Sequence, residues 1–242
     1  MRILLLGGTG EARALAARLH PDVGVISSLA GRVPDPALPV GDVRIGGFGG
    51  PQGLRRWLSE NPVDAVIDAT HPFAATMTAT AAQVCADTGV PHLVLVRPAW
   101  PTDGAIVVRS DRDAARAVRE HRFTRVFVTS GRSSLPAFTD VDAWFLIRVV
   151  TPPEQRVLPR RHELLLSRGP YHLEGERNLL RHHRIDALVT KNSGGRMTRA
   201  KLDAAAELNI PVIMVDRPAL PPGVTTVSTV AEAVDWVSSL RG

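Results

Sequence analysis

Short apolar runs punctuate the chain at 3–6, 64–68, 92–96, 125–129, 186–190 and 212–215. They are continuous rather than alternating. That pattern predicts strands buried on both faces, as in a parallel sheet. Alanine-rich stretches at 12–19, 75–88, 112–120 and 198–208 lie between them and favour helix. A last helix is expected around 236–240. Strands alternating with helices predict an α/β fold with parallel sheets.

The pattern occurs twice. Segment 90–101 matches 210–221 at an offset of 120, with Pro91, Arg97, Pro98, Ala99 and Pro101 repeated as Pro211, Arg217, Pro218, Ala219 and Pro221. Met77-Thr78 returns as Met197-Thr198 at the same offset, and Val63-Asp64-Ala65-Val66-Ile67 resembles Ile185-Asp186-Ala187-Leu188-Val189. Each copy reads as strand, glycine loop, helix, further strands and a closing strand ending at Arg-Pro. An internal duplication into two Rossmann-like lobes follows, expected as 1–122 and 123–242, with a hinge near 120–124 and a ligand cleft between the lobes.

Chemistry is expected where strands end. The first strand runs into Gly7-Gly8-Thr9-Gly10-Glu11-Ala12 before a helix. Glycines let backbone approach phosphate, and a helix N-terminus favours anions. The dinucleotide fingerprint is incomplete, because Arg13 stands where the third glycine would fall and Glu11 adds negative charge. The second strand ends Val25-Ile26-Ser27-Ser28 without the acid that holds an NAD ribose, and Arg32 follows. Hydroxyls and a guanidinium suit a 2′-phosphate, so NADPH is favoured over NADH. Further strand-end loops are Gly46-Gly47-Phe48-Gly49-Gly50, Asp68-Ala69-Thr70-His71-Pro72-Phe73-Ala74 and Lys191-Asn192-Ser193-Gly194-Gly195.

Charge narrows the partners. The formal net charge is +5, and residues 156–201 hold 11 of the basic residues against 4 acidic ones. Such a stretch can grip a polyanion. Aromatic residues make up only 5%, too few for the stacking platforms of a single-strand nucleic-acid binder. No apolar run is long enough to span a bilayer, and a single cysteine, Cys85, permits no internal disulfide. A reducing cytoplasm fits these features. Lys191 and Lys201 are the only lysines among 29 basic residues, and Lys191 is the one expected to act. No spacing resembles a metal site. A Tyr-x-x-x-Lys dehydrogenase pair is ruled out, since Gly175 lies four residues after the sole tyrosine, Tyr171.

Taken in order, the strand-end loops, with Ser28-Leu29-Ala30-Gly31-Arg32 and Arg168-Gly169-Pro170-Tyr171, resemble the precorrin-6A reductase family of cobalamin biosynthesis. The resemblance implies NADPH-dependent reduction of precorrin-6A, a carboxylate-edged tetrapyrrole, to precorrin-6B. It implies that Gly8, Thr9, Gly10, Glu11 and Ala12 form the first cofactor loop. Ser28 and Arg32 would take the 2′-phosphate, Gly47 and Phe48 would line the adenosine, and Thr70 and His71 would lie near the nicotinamide. Lys191, Asn192 and Ser193 would reach cofactor or substrate. Ser130, Arg132, Arg168 and Tyr171, with Lys191, would meet substrate carboxylates. His71 is the candidate acid, since imidazole titrates near neutrality; the alternative is that it only hydrogen-bonds and water supplies the proton. A non-catalytic NADP(H) sensor is the alternative function.

Overall fold

A computed structural model describes residues 1–31 and 38–241. Arg32 lies outside the described residues. In chain order the elements are β1 (Arg2–Leu6), α1 (Gly10–Leu19), β2 (Gly24–Leu29), β3 (Asp42–Ile45), α2 (Pro51–Glu60), β4 (Ala65–Asp68), α3 (Ala75–Thr88), β5 (His92–Leu95), β6 (Ile106–Val108), α4 (Asp111–Glu120), β7 (Arg125–Val128), β8 (Trp144–Val149), β9 (Arg161–Leu166), α5 (Leu173–His182), β10 (Ala187–Lys191), α6 (Ala200–Glu207), β11 (Val212–Val215), β12 (Thr225–Val227) and α7 (Val230–Ser239). Two 3₁₀ segments, Arg132–Phe138 and Gln155–Val157, complete the set.

The chain divides into two compact units, each with its own parallel sheet. In the first unit the strand order is β12-β5-β4-β1-β2-β3. Residues of β1 point alternately to the two faces. Ile3 and Leu5 join Leu15, Leu19, Ala233 and Val237 on the face covered by α1 and α7. Leu4 and Leu6 join Leu54, Leu58, Val84 and Cys85 on the face covered by α2 and α3. Burial on both faces is why β1 reads as an unbroken apolar run.

In the second unit the order is β6-β11-β10-β7-β8-β9. On one face Phe127, Leu146 and Leu188 pack with Leu180 of α5 and Ala204 and Ala205 of α6. The αβ turns use a left-handed residue: Arg122, Arg184 and Asn209 have φ of 56°, 52° and 53°. Element for element this sheet repeats the first, which bears out the duplicated α/β fold.

The division of the chain differs from the expected one. The first unit is Met1–Pro98 with Pro218–Gly242, and the second is Ala99–Arg217. Residues 120–124 are not a hinge. They form a tight turn inside the second unit, where Phe123 N–H donates to Val118 O at 3.0 Å and Thr124 N–H to Asp186 Oδ2 at 2.8 Å. The crossings fall at the two Arg-Pro pairs. After each, the last strand and helix of one copy join the other copy's unit: β6 pairs with β11, and β12 with β5. The two exchanged helices begin alike. Ser110 caps α4 by accepting from Asp113 N–H, and Thr229 caps α7 by accepting from Glu232 N–H.

Candidate functional site

In the first unit the strand order reverses between β1 and β4, and the candidate residues stand at the carboxyl ends around that switch. Gly8 turns the chain out of β1 with φ of 109°, and a Cβ there would meet nothing within 4 Å, so the turn is open to a ligand. Thr9 is buried and works inward. Its hydroxyl accepts from Ala12 N–H at 3.1 Å and donates to Ala69 O at 2.8 Å, tying the start of α1 to the end of β4. The amides of Gly10 and Glu11 have no acceptor among the described residues. Glu11 pairs with Arg97 at 2.8 Å, so its charge is compensated beside the turn.

Ser28, the last residue but one of β2, is buried. Its Oγ accepts from Arg44 Nη1 at 2.8 Å. The same guanidinium donates to Gly46 O at 2.9 Å and Gly47 O at 3.3 Å, and lies 3.9 Å above the centroid of Phe48. Burial lowers the pKa of Arg44 from its ordinary value, but from a range so high that the group stays a cation at neutral pH. The loop is braced from α2, where a Cβ on Gly53 would stand 1.6 Å from Phe48 O.

At the end of β4, Asp68 is fully enclosed. Its Oδ1 accepts from Thr70 N–H at 2.9 Å and from the Thr70 hydroxyl at 2.7 Å. The Thr70 oxygen therefore keeps its lone pairs for another donor. His71 Nδ1 accepts from Phe73 N–H at 3.3 Å, so the neutral ring carries its hydrogen on Nε2.

The second unit sorts its candidates differently. Asn192 is 2% exposed, and its carboxamide is committed. Oδ1 accepts from Trp100 N–H at 2.8 Å, and Nδ2 donates to Trp100 O at 3.2 Å. Tyr171 donates its hydroxyl to Ser167 O at 3.1 Å, and its ring lies 4.0 Å from the Arg148 guanidinium. Ser130 Oγ is buried against Ser134 Oγ at 2.7 Å. These hydrogen bonds tie all three side chains into the scaffold. Arg132 and Arg168 are exposed, and Ser193 is half-buried. Lys191 Nζ lies 3.5 Å from Asp111 Oδ2.

Behind the Asn192 loop is a buried cluster that the sequence reading missed. Arg148 makes a two-pronged pair with Glu176 at 3.0 and 2.7 Å. Lys201, 4% exposed, donates to Thr198 O at 2.7 Å and stands 4.7 Å from the Trp100 ring. Burial, then the nearby Arg148, pulls its pKa down to about 7, against the opposing pull of Glu176. Trp100 also donates its indole N–H to Gly195 O at 2.9 Å. The loop 192–198 is thus fastened from below at several points. Arg44 and Arg148 left the same sequence signal: a lone arginine inside an otherwise strand-like stretch, where a charge needs a partner.

A parallel sheet with this order, and a glycine turn entering a helix at its switch point, place the first unit among the Rossmann-type α/β proteins. The family is narrower. The model of the family described as precorrin-6x reductase CbiJ/CobK matches residues 2–238, and the chain belongs to that family. A precorrin-6A reductase of Mycobacterium tuberculosis is 63% identical over 239 residues, covering 99% of this chain and 98% of that one. A precorrin-6A reductase of Rhodococcus erythropolis is 54% identical over 245 residues, covering 99% and 98%. Among solved structures, a CobK precorrin-6A reductase superposes with a TM-score of 0.90 at 39% identity, covering 99% of this chain and 97% of that one.

Proposed function

We propose that the chain reduces precorrin-6A to precorrin-6B, with NADPH as the hydride source. The observation that carries this reading is the open Gly8 turn at the β1–β4 switch, in a chain matched almost end to end by precorrin-6A reductases. When bound, NADPH supplies a hydride to one macrocycle carbon; a proton from solvent or a side chain completes the reduction at its neighbour. The protein's part is binding, orientation and electrostatics.

Gly8 admits the pyrophosphate, and the Gly10 and Glu11 amides face it at the start of α1. Arg97 keeps Glu11 from repelling that anion. Thr70, donating to Asp68, offers lone pairs to the carboxamide N–H of the nicotinamide. In the second unit Arg132, Arg168, Lys191 and Ser193 are the donors proposed for substrate carboxylates, arginine by paired contacts. Asn192, Tyr171 and Ser130 serve these donors by shaping their loops.

His71 is assigned hydrogen bonding rather than proton delivery. A doubly protonated ring would turn Nδ1 into a donor against Phe73 N–H, which it now accepts. His71→Ala should therefore leave the single-turnover rate at saturating NADPH within about threefold; a loss of about 100-fold, on the scale of general acid catalysis, would return the acid role to His71.

The function itself is tested by following nicotinamide absorbance with purified protein and precorrin-6A, NADPH and NADH in parallel. Oxidation of NADPH that depends on precorrin-6A, and is faster than that of NADH, is expected. No oxidation with either nucleotide contradicts the reading.

A further inference from the structure

We propose that Arg44 selects the phosphorylated cofactor, forming with Ser28 a subsite for the 2′-phosphomonoester of NADPH; this rests on the NADPH reading above. The two residues are opposite each other in register across β2 and β3. Ser28 occupies the strand end where a carboxylate would hold the ribose hydroxyls of NADH. A neighbouring arginine puts a cation at that point instead.

Arg44 is also preorganised. Three hydrogen bonds and the face of Phe48 fix its guanidinium plane. Those bonds occupy both Nη1 hydrogens and one on Nη2, leaving Nε–H and the second Nη2–H for a ligand. All three acceptors are neutral. Among the described residues no ion pair joins Arg44 to a carboxylate. A half-buried cation with neutral partners has an unspent attraction for an anion, and guanidinium matches phosphate oxygens in pairs. The loop that Arg44 holds, Gly46-Gly47-Phe48, gives an aromatic ring beside the same point, which suits the adenine of the same ligand. The sequence pointed to Arg32 with Ser28 for this role; Arg32 lies outside the described residues, and Arg44 is the guanidinium seen against Ser28.

The test measures kcat/KM for NADPH and for NADH, with precorrin-6A as common acceptor, in the full chain and its Arg44→Gln and Arg44→Lys variants. Calorimetric binding of 2′,5′-ADP and of 5′-ADP gives a readout independent of turnover. In Arg44→Gln the ratio of NADPH to NADH in kcat/KM, and of 2′,5′-ADP to 5′-ADP in affinity, should fall about 10- to 100-fold, the scale of a charge-assisted hydrogen bond, over and above any loss that the loosened loop imposes on both nucleotides alike. Arg44→Lys, which keeps charge but not the fork, should recover part of the preference. If Arg44→Gln weakens both nucleotides equally, Arg44 only braces the loop and the proposal is overturned. An unchanged preference in Arg44→Gln overturns it too, while the NADPH reading stands. A wild-type protein that prefers neither nucleotide overturns the NADPH reading itself.

Discussion

Lys201 shows how one residue's chemistry depends on what surrounds it. Its scarcity as a lysine was visible in the sequence; its burial was not, because the residues that enclose it, Trp100, Arg148 and Glu176, lie 101, 53 and 25 positions away in the chain. The same reading favoured Lys191, which stands beside Asp111. Burial gives Lys201 a measurable signature. Its pKa falls from 10.5 to about 7 in the folded chain. Between those values the unfolded chain holds a proton that the folded chain has released, so this residue makes stability rise with pH across that window. Below pH 7 both states are protonated, and the folded state carries the full penalty of a buried charge. Lys201→Met should therefore flatten the rise in denaturation midpoint between pH 6.5 and 9. An equally steep rise in the variant would mean that Lys201 is not the titrating group.

Elements were legible where apolar runs were unbroken. β1, β4, β5, β7, β10 and β11 are central strands and matched their runs. The flanking strands were harder. β9 and β3 lie at sheet edges and mix polar with apolar residues, and β8 carries Arg148 among apolar neighbours. Helices α2 and α5 lack an alanine run, so composition alone did not mark them. The loop between β3 and α2 was recognised from its four glycines, but not its mechanical support. Gly53, inside α2, lets that helix lie against the Phe48 carbonyl, and a methyl group there would stand 1.6 Å from the oxygen. The backbone must move to admit it. Gly53→Ala should lower stability by about 1–3 kcal/mol, the scale of overpacking, and weaken nucleotide binding with it. A variant that melts like the wild type and binds nucleotide equally well would show that the loop position does not depend on this contact.

For the whole molecule, the 120-residue offset revealed the duplication but not the partition of the chain. The exchanged pieces, β6 with α4 and β12 with α7, keep almost the same offset whichever sheet they join. Sequence periodicity therefore cannot say which sheet an edge strand completes; only pairing does. The division at the Arg-Pro pairs gives the first unit both ends of the chain, and leaves the strands on either side of its β1–β4 switch built from residues 1–98 alone. The proposed chemistry is transfer of a hydride from NADPH to precorrin-6A. NADPH deuterated at the transferable position of the nicotinamide, with the product examined by mass spectrometry, reads that transfer directly. Precorrin-6B carrying one deuterium per NADPH consumed is the expected product. Product without deuterium from either face of the nicotinamide, or consumption of NADPH without reduction of the macrocycle, would contradict the proposal.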